Sequence, residues 1–297
     1  MVSRLDLRVE QGDLYGFLGP NGAGKTTAIR CMLGLIRRDA GTVSFFGESD
    51  GFAARRHLGA MVETPQFHEW LSGRMNLEIA CAYAGQGTGE DIDRALAQVG
   101  LAERGKDKVK GYSLGMRQRL GIARALVGKP RMLVLDEPTN GLDPRGMREV
   151  RDLLKLLVKR DGLTVFVSSH LLSEVEAMCN RVAILDRGLL KAEGRVADLV
   201  RRGEEGVEVE LAVSDAAKAR EVVGRLEGAS GGEAGEEGRI VVRLRGLGPA
   251  ELNRALVLGG VDVAHLAVRQ GSLEDRFLEL TVQDPELSAA VRGGGAA

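Results

Sequence analysis

The chain has 297 residues, enough for about two domains of ordinary size. Its 44% hydrophobic and 28% charged residues exclude wholesale disorder and a collagen-like polymer. With 41 Lys and Arg against 42 Asp and Glu, the net charge of -1 provides no global field toward nucleic acid or an anionic membrane, so no nucleic-acid partner is expected and any phosphate binding must be local.

Leu5, Leu7 and Val9 alternate with Arg4, Asp6 and Arg8, a period of two that predicts a strand with one buried face. A turn at Gln11-Gly12-Asp13 leads to a short apolar strand over residues 14–18, a Gly-rich stretch over 19–24, and a helix over 26–35 that buries Ile29, Met32 and Leu33. A further strand is expected at 42–46. Between about residues 69 and 129 only helical periods are legible, at 77–84, 91–99 and 116–127, and they read as a helical insert. Strands follow at 132–135, 164–168 and 182–185. Between the first two, Met147, Val150, Leu154 and Leu157 line one face of a helix over 144–159, with Pro144 suited to its first turn.

Strands alternating with helices predict a mainly parallel sheet covered on both faces. A composition break at 201–206 precedes a new alternating strand beginning at Val207. Beyond it, strands at 240–244 and 261–268 and helices at 249–258 and 272–280 predict a small C-terminal α+β domain. The Gly- and Glu-rich run 228–238 reads as a mobile loop, and the tail 284–297 as disordered. The expected division is 1–203 and 207–283. Cys31, Cys81 and Cys179 are odd in number and never in C-x-x-C form, so they support neither a disulfide framework nor zinc and read as small apolar filler. No apolar run approaches the roughly 18 residues of a spanning helix, and the first residues interleave charge with apolar side chains, unlike a secretion signal.

Gly19-Pro20-Asn21-Gly22-Ala23-Gly24-Lys25-Thr26 matches G-x-x-x-x-G-K-[ST] and lies between a strand and a helix, as its chemistry requires. Backbone N–H groups of the glycine-rich turn and the helix N-terminus face phosphate oxygens, Lys25 supplies a point charge, Thr26 offers a hydroxyl to Mg²⁺, and Thr27 continues the first helical turn. Met132-Leu133-Val134-Leu135 then delivers Asp136 and Glu137 from a buried strand. Asp136 is placed to hold Mg²⁺ or its water, and Glu137 to polarise the attacking water. His170 follows another strand end, where ligands gather in open α/β sheets.

Together these residues resemble an ATP-binding cassette protein, the nucleotide-binding subunit of an ABC transporter, over about residues 1–200. Tyr112-Ser113-Leu114-Gly115-Met116-Arg117-Gln118-Arg119-Leu120 stands where the family's L-S-G-G-Q signature belongs, Asn140-Gly141-Leu142-Asp143 matches the D-loop, and His170 the switch histidine. The resemblance implies an α/β P-loop NTPase of RecA-like type, ATP and Mg²⁺ as ligands, and hydrolysis by Glu137 and His170. It also implies a head-to-tail dimer with a second copy or a paralogous subunit. In that dimer Ser113 and Gly115 of one chain meet the nucleotide on the phosphate loop of the other, and Asp143 of the D-loop counts with the nucleotide-binding residues. Taken alone, the sequence favours Ser113 as an ordinary helix N-cap.

Three departures stand out. Leu114 and Met116 replace two signature positions, a form that looks like the branch of antibiotic, lantibiotic and drug exporters. Glu63 stands where the Q-loop glutamine is usual and is the expected metal-facing residue, with Gln66 the alternative. Only the residues up to Leu18 precede the phosphate loop, without the family's first strand and adenine-stacking aromatic. Tyr15 is a poor substitute, and a longer native chain is expected from an intact-mass measurement. The reading is an ATPase subunit for separate transmembrane permease subunits, held peripherally at the cytoplasmic membrane face and serving export. Coupling is expected around residues 67–76, where Phe67, Trp70 and Leu71 form either an apolar rim or core. The alternatives are a nucleotide-dependent switch and a soluble cassette ATPase unconnected with transport.

Overall fold

The computed structural model describes residues 2–49, 51–200, 207–234, 239–269 and 272–281. The chain separates into two compact units, one taking it up to Val196 and again from Phe277, the other Ala197–Arg276. The composition break at 201–206 and the tail at 284–297 lie outside the described residues.

In the first unit, strand β1 (Leu14–Leu18) leads into helix α1 (Lys25–Met32). A two-residue hairpin follows, β2 (Ser44–Phe45) and β3 (Glu48–Ser49), then α2 (Phe52–Arg55) and β4 (Leu58–Met61). The helical insert consists of α3 (Gly73–Ala84), α4 (Gly89–Gln98) and α5 (Leu114–Leu126). After it come β5 (Met132–Leu135), α6 (Pro144–Asp161), β6 (Thr164–Ser169), α7 (Leu172–Met178), β7 (Arg181–Asp186) and β8 (Leu189–Arg195), and α8 (Val196–Val200) begins at the division between the units.

The sheet order is β4-β5-β6-β1-β7-β8, parallel throughout except for the antiparallel β7–β8 pair. Every residue of β1, β5 and β6 is buried, because helices cover both faces of a parallel sheet and leave no polar side for alternation. Tyr15 stacks on Phe166 at 5.5 Å, and Phe17 lies 5.3 Å from the same ring, so three aromatics fill the centre of the core. The Tyr15 hydroxyl donates to Glu193 Oε1 at 2.7 Å, and burial together with that carboxylate pushes its acidity far out of the physiological range. It serves the core and faces no base.

Helix ends follow local chemistry. Ser72 caps α3 through Met75 N–H, Thr88 and Asp91 form a capping box on α4, and Asp143 caps α6 with Pro144 in its first turn. Lys129 and the capping bonds hold Asp91 well below the usual carboxylate range.

Three sequence expectations change. Residues 5–9 form no strand: Leu5, Leu7 and Val9 are half-buried against the core and their neighbours exposed, so the alternation reports one-sided packing without a ladder partner. The strand expected at 42–46 shrinks to Ser44–Phe45. The run read as a mobile loop contains a strand, β10, described next.

The second unit runs β9 (Val207–Val213), α9 (Ala216–Gly224), β10 (Ala229–Ala234), β11 (Arg239–Leu244), α10 (Pro249–Leu258) and β12 (Val263–Arg269), and α11 (Leu273–Thr281) begins in it and crosses the division after Arg276. Its antiparallel order β10-β11-β9-β12 is that of a split βαββαβ unit. Val209, Leu211, Ile240, Val242 and Leu244 pack against Ala219, Val223, Leu252 and Leu256 of α9 and α10. β10 pairs with β11 through a register shift between Gly231 and Glu233. Its ladder satisfies the backbone with few and small apolar side chains, which is why composition suggested a loop; residues 235–238 lie outside the description.

Candidate active site

Parallel register carries three distant segments to one edge of the sheet. Leu18 pairs with Ser169 across β1 and β6, Leu135 with Val167 across β5 and β6, and Met61 with Leu135 across β4 and β5. The residues that follow these strands therefore converge: Gly19 to Thr27 after β1, Asp136 and Glu137 after β5, His170 after β6, and Glu63 after β4. This is the carboxyl edge at which ligands sit in open α/β sheets.

Gly19 is buried and its N–H donates to Ser169 O at 3.3 Å, fastening the start of the loop to β6. Pro20, Asn21, Gly22 and Thr27 are exposed, Ala23 is buried, and Thr26 is half-buried in the first turn of α1. Gly24 takes the N-cap position at φ 102°, a conformation that a side chain would strain. The first amides of α1 consequently emerge beside the loop with the positive end of the helix dipole, an arrangement suited to an anion.

Lys25 is only 6% exposed. Its ammonium donates to Gly19 O at 2.7 Å and Pro20 O at 3.3 Å, and lies 3.1 Å from Glu137 Oε1, so three N–H groups meet three oxygens. The other Glu137 oxygen lies 2.7 Å from His170 Nδ1. A continuous Lys25–Glu137–His170 chain thus joins the ends of β1, β5 and β6. Glu137 has φ 49°, in the left-handed region that residues with a Cβ seldom occupy, at a cost of roughly 1–3 kcal/mol. Asp136 is buried, its N–H donates to Met61 O at 2.8 Å, and its Oδ1 accepts from Ser168 Oγ at 2.5 Å.

Thr26 and Asp136 provide hard oxygen donors, the chemistry that Mg²⁺ prefers. Among the described residues no group of three or more His, Cys, Asp and Glu could hold a metal. With one carboxylate and one hydroxyl from the chain, phosphates and water would supply the remaining ligands, as is usual for Mg²⁺. Glu63 is paired with Arg30 of α1 and has φ 68°, so it would have to leave Arg30 to approach a metal. The Gln66 carbonyl accepts from Arg124 Nη1 at 3.3 Å.

The signature residues lie on α5, which begins at Leu114 rather than at 116. Ser113 Oγ accepts from Met116 N–H at 3.2 Å, and Ser113 is exposed. A Cβ placed on Gly115 would meet nothing closer than Leu142 Cδ2 at 4.0 Å, so open space faces the first turn of α5. Asp143 Oδ1 accepts from Gly146 N–H at 2.9 Å, which gives this carboxylate a capping role within its own chain. The sequence reading passed over Ser168. Its signal is a hydroxyl directly after the apolar run Val165-Phe166-Val167 of a buried strand.

Comparison with known proteins follows this geometry. A family profile described as ABC transporter matches residues 2–140. The uncharacterized ABC transporter ATP-binding protein YhcH of Bacillus subtilis (strain 168) is 42% identical over 295 residues, covering 96% of this chain and 92% of its own length. The bacitracin transport ATP-binding protein BcrA of Bacillus licheniformis is 42% identical over 282 residues, with 94% and 92% covered. A solved ATP-binding subunit of an ABC transporter superposes with a TM-score of 0.58 at 29% identity, over 68% of this chain and 86% of that one.

Proposed function

This chain belongs to the ATP-binding proteins of the ABC transporter family, and from that membership we propose that it hydrolyses Mg²⁺-bound ATP to drive a separate membrane-embedded export permease. The observation that carries the hydrolytic reading is the Lys25–Glu137–His170 chain beside the phosphate loop. Lys25 leaves Glu137 for the β- and γ-phosphates, and the first amides of α1 hold the same oxygens. Glu137, released from Lys25 and still oriented by His170, accepts a hydrogen bond from the water that attacks the γ-phosphate in line. Thr26 and Asp136 would hold the metal, which when bound supplies charge neutralisation at the phosphates.

The open first turn of α5, with Ser113 and Gly115, supports a site completed by a second copy or a paralogous subunit. Phosphate release per molecule of purified chain with Mg²⁺ and ATP should then rise with protein concentration. A specific activity independent of concentration would remove the shared pocket, and no release at any concentration would remove the ATPase.

Among the described residues no helix is long and apolar enough to cross a membrane. A permease as partner, with this chain on the cytoplasmic face, is supported by the resemblance to transport subunits. BcrA, named for bacitracin transport, favours a peptide antibiotic or similar drug as cargo. Of the expected docking residues, Phe67 is half-buried with the Arg124 guanidinium 5.2 Å from its ring centre, Leu71 is half-buried, and Trp70 is 67% exposed. Trp70 is therefore the side chain best placed to anchor in a partner. Trp70→Ala should weaken co-purification of the chain with its permease by about tenfold or more. Unchanged recovery would move the docking surface elsewhere.

A further inference from the structure

Ser168 is fully buried in β6, following Val165, Phe166 and Val167. A hydroxyl in such a place is tolerated only with its hydrogen bonds made. It makes two, and both go to the adjacent segment after β5. The Glu137 N–H donates to Ser168 Oγ at 2.9 Å, and Ser168 Oγ donates to Asp136 Oδ1 at 2.5 Å. The directions follow from the groups: an amide N–H cannot accept, so the oxygen receives it and the single hydroxyl proton is left for the carboxylate.

These bonds act on consecutive residues in different ways. At Asp136 the bond fixes the rotation of a buried carboxylate by engaging one of its oxygens. At Glu137 it anchors the peptide at the point where the chain enters the left-handed conformation, φ 49°. That backbone turn sends the Glu137 carboxylate to Lys25 at 3.1 Å and His170 at 2.7 Å.

We infer that Ser168 is a positioning residue for hydrolysis: through one hydroxyl it sets the backbone of Glu137 and the orientation of Asp136, and it touches no substrate. The inference rests on the ATPase reading of the site. It differs from a merely satisfied core serine, which would matter to folding and leave turnover alone once the chain had folded.

The test compares the full-length chain with Ser168→Ala and Ser168→Thr. Three things are measured: steady-state hydrolysis, binding of a fluorescent ATP analogue with Mg²⁺, and amide hydrogen exchange at Glu137. Loss of a charge-assisted buried bond should lower kcat of Ser168→Ala by about tenfold or more while nucleotide affinity stays within about twofold. Exchange at the Glu137 amide should quicken by about tenfold with the rest of β5 and β6 unchanged. Ser168→Thr, which keeps the hydroxyl, should recover most of kcat. If its methyl group prevents folding, the split between kcat and affinity in the alanine variant decides alone.

A wild-type kcat and an undisturbed Glu137 amide in Ser168→Ala would overturn the assignment. So would losses of kcat, affinity and exchange protection spread evenly over both strands, because that pattern describes packing. Should the wild-type chain itself fail to hydrolyse ATP, the ATPase reading falls, and the Glu137 exchange comparison still decides whether Ser168 holds that backbone.

Discussion

Glu137→Gln should lower phosphate release by about a hundred- to ten-thousand-fold while the protein still binds ATP, the loss usual for removing a positioned general base. The amide is nearly isosteric, so the Ser168 bond to the backbone N–H and the left-handed turn survive. What disappears is the negative charge that stands 3.1 Å from Lys25 and 2.7 Å from His170. With no carboxylate competing for it, Lys25 is freer to meet phosphate, so affinity for ATP should hold or rise. Because the nucleotide then persists uncleaved, two copies should stay joined around it. Size-exclusion chromatography with ATP, beside a phosphate-release assay, reads both effects. Turnover at the wild-type rate would remove Glu137 from the role of base.

Lys25→Ala should instead abolish nucleotide binding at ordinary concentrations. The ammonium is the one charged donor inside the loop, and each charge-assisted bond to a phosphate contributes about 1.5–3 kcal/mol, so losing two of them raises Kd by roughly a hundredfold or more. The empty protein changes too: the Gly19 and Pro20 carbonyls lose this donor, and of its two side-chain partners the Glu137 carboxylate keeps His170. Titration with a fluorescent ATP analogue would measure the effect. An affinity within about threefold of wild type would show that backbone amides alone hold the phosphates. The two variants part cleanly, since one binds without cleaving and the other does neither.

Much of this site was legible because its chemistry is written in short, contiguous spacings. A glycine-rich turn ending in Lys25 and Thr26, and an apolar strand ending in Asp136 and Glu137, each need only neighbouring residues to be recognised. The long amphipathic helix over 144–161 was equally plain, since one face carries Val150, Leu154 and Leu157 into the core.

What escaped depends on pairing partners rather than on local spacing. The half-polar pattern of β8 is explained only by its antiparallel pairing with β7. Leu5, Leu7 and Val9 show the side-chain period of a strand, but a ladder also needs a neighbour to bond. Ser168 offered no spacing signal at all, because its two partners lie 32 and 31 positions upstream. The pairing of Glu63 with Arg30 was hidden in the same way, so charge types at the Q-loop position said nothing about which group the carboxylate would face.

The order β5-β6-β1 also governs when enzyme activity can first exist. β6 lies between the strand that bears the phosphate loop and the strand that bears Glu137. Until the ribosome has delivered residues 164–170 and that central strand has slotted in, nothing brings the two halves of the candidate site face to face. A nascent chain that ends before β6 therefore holds the phosphate loop and Glu137 on strands with no common neighbour.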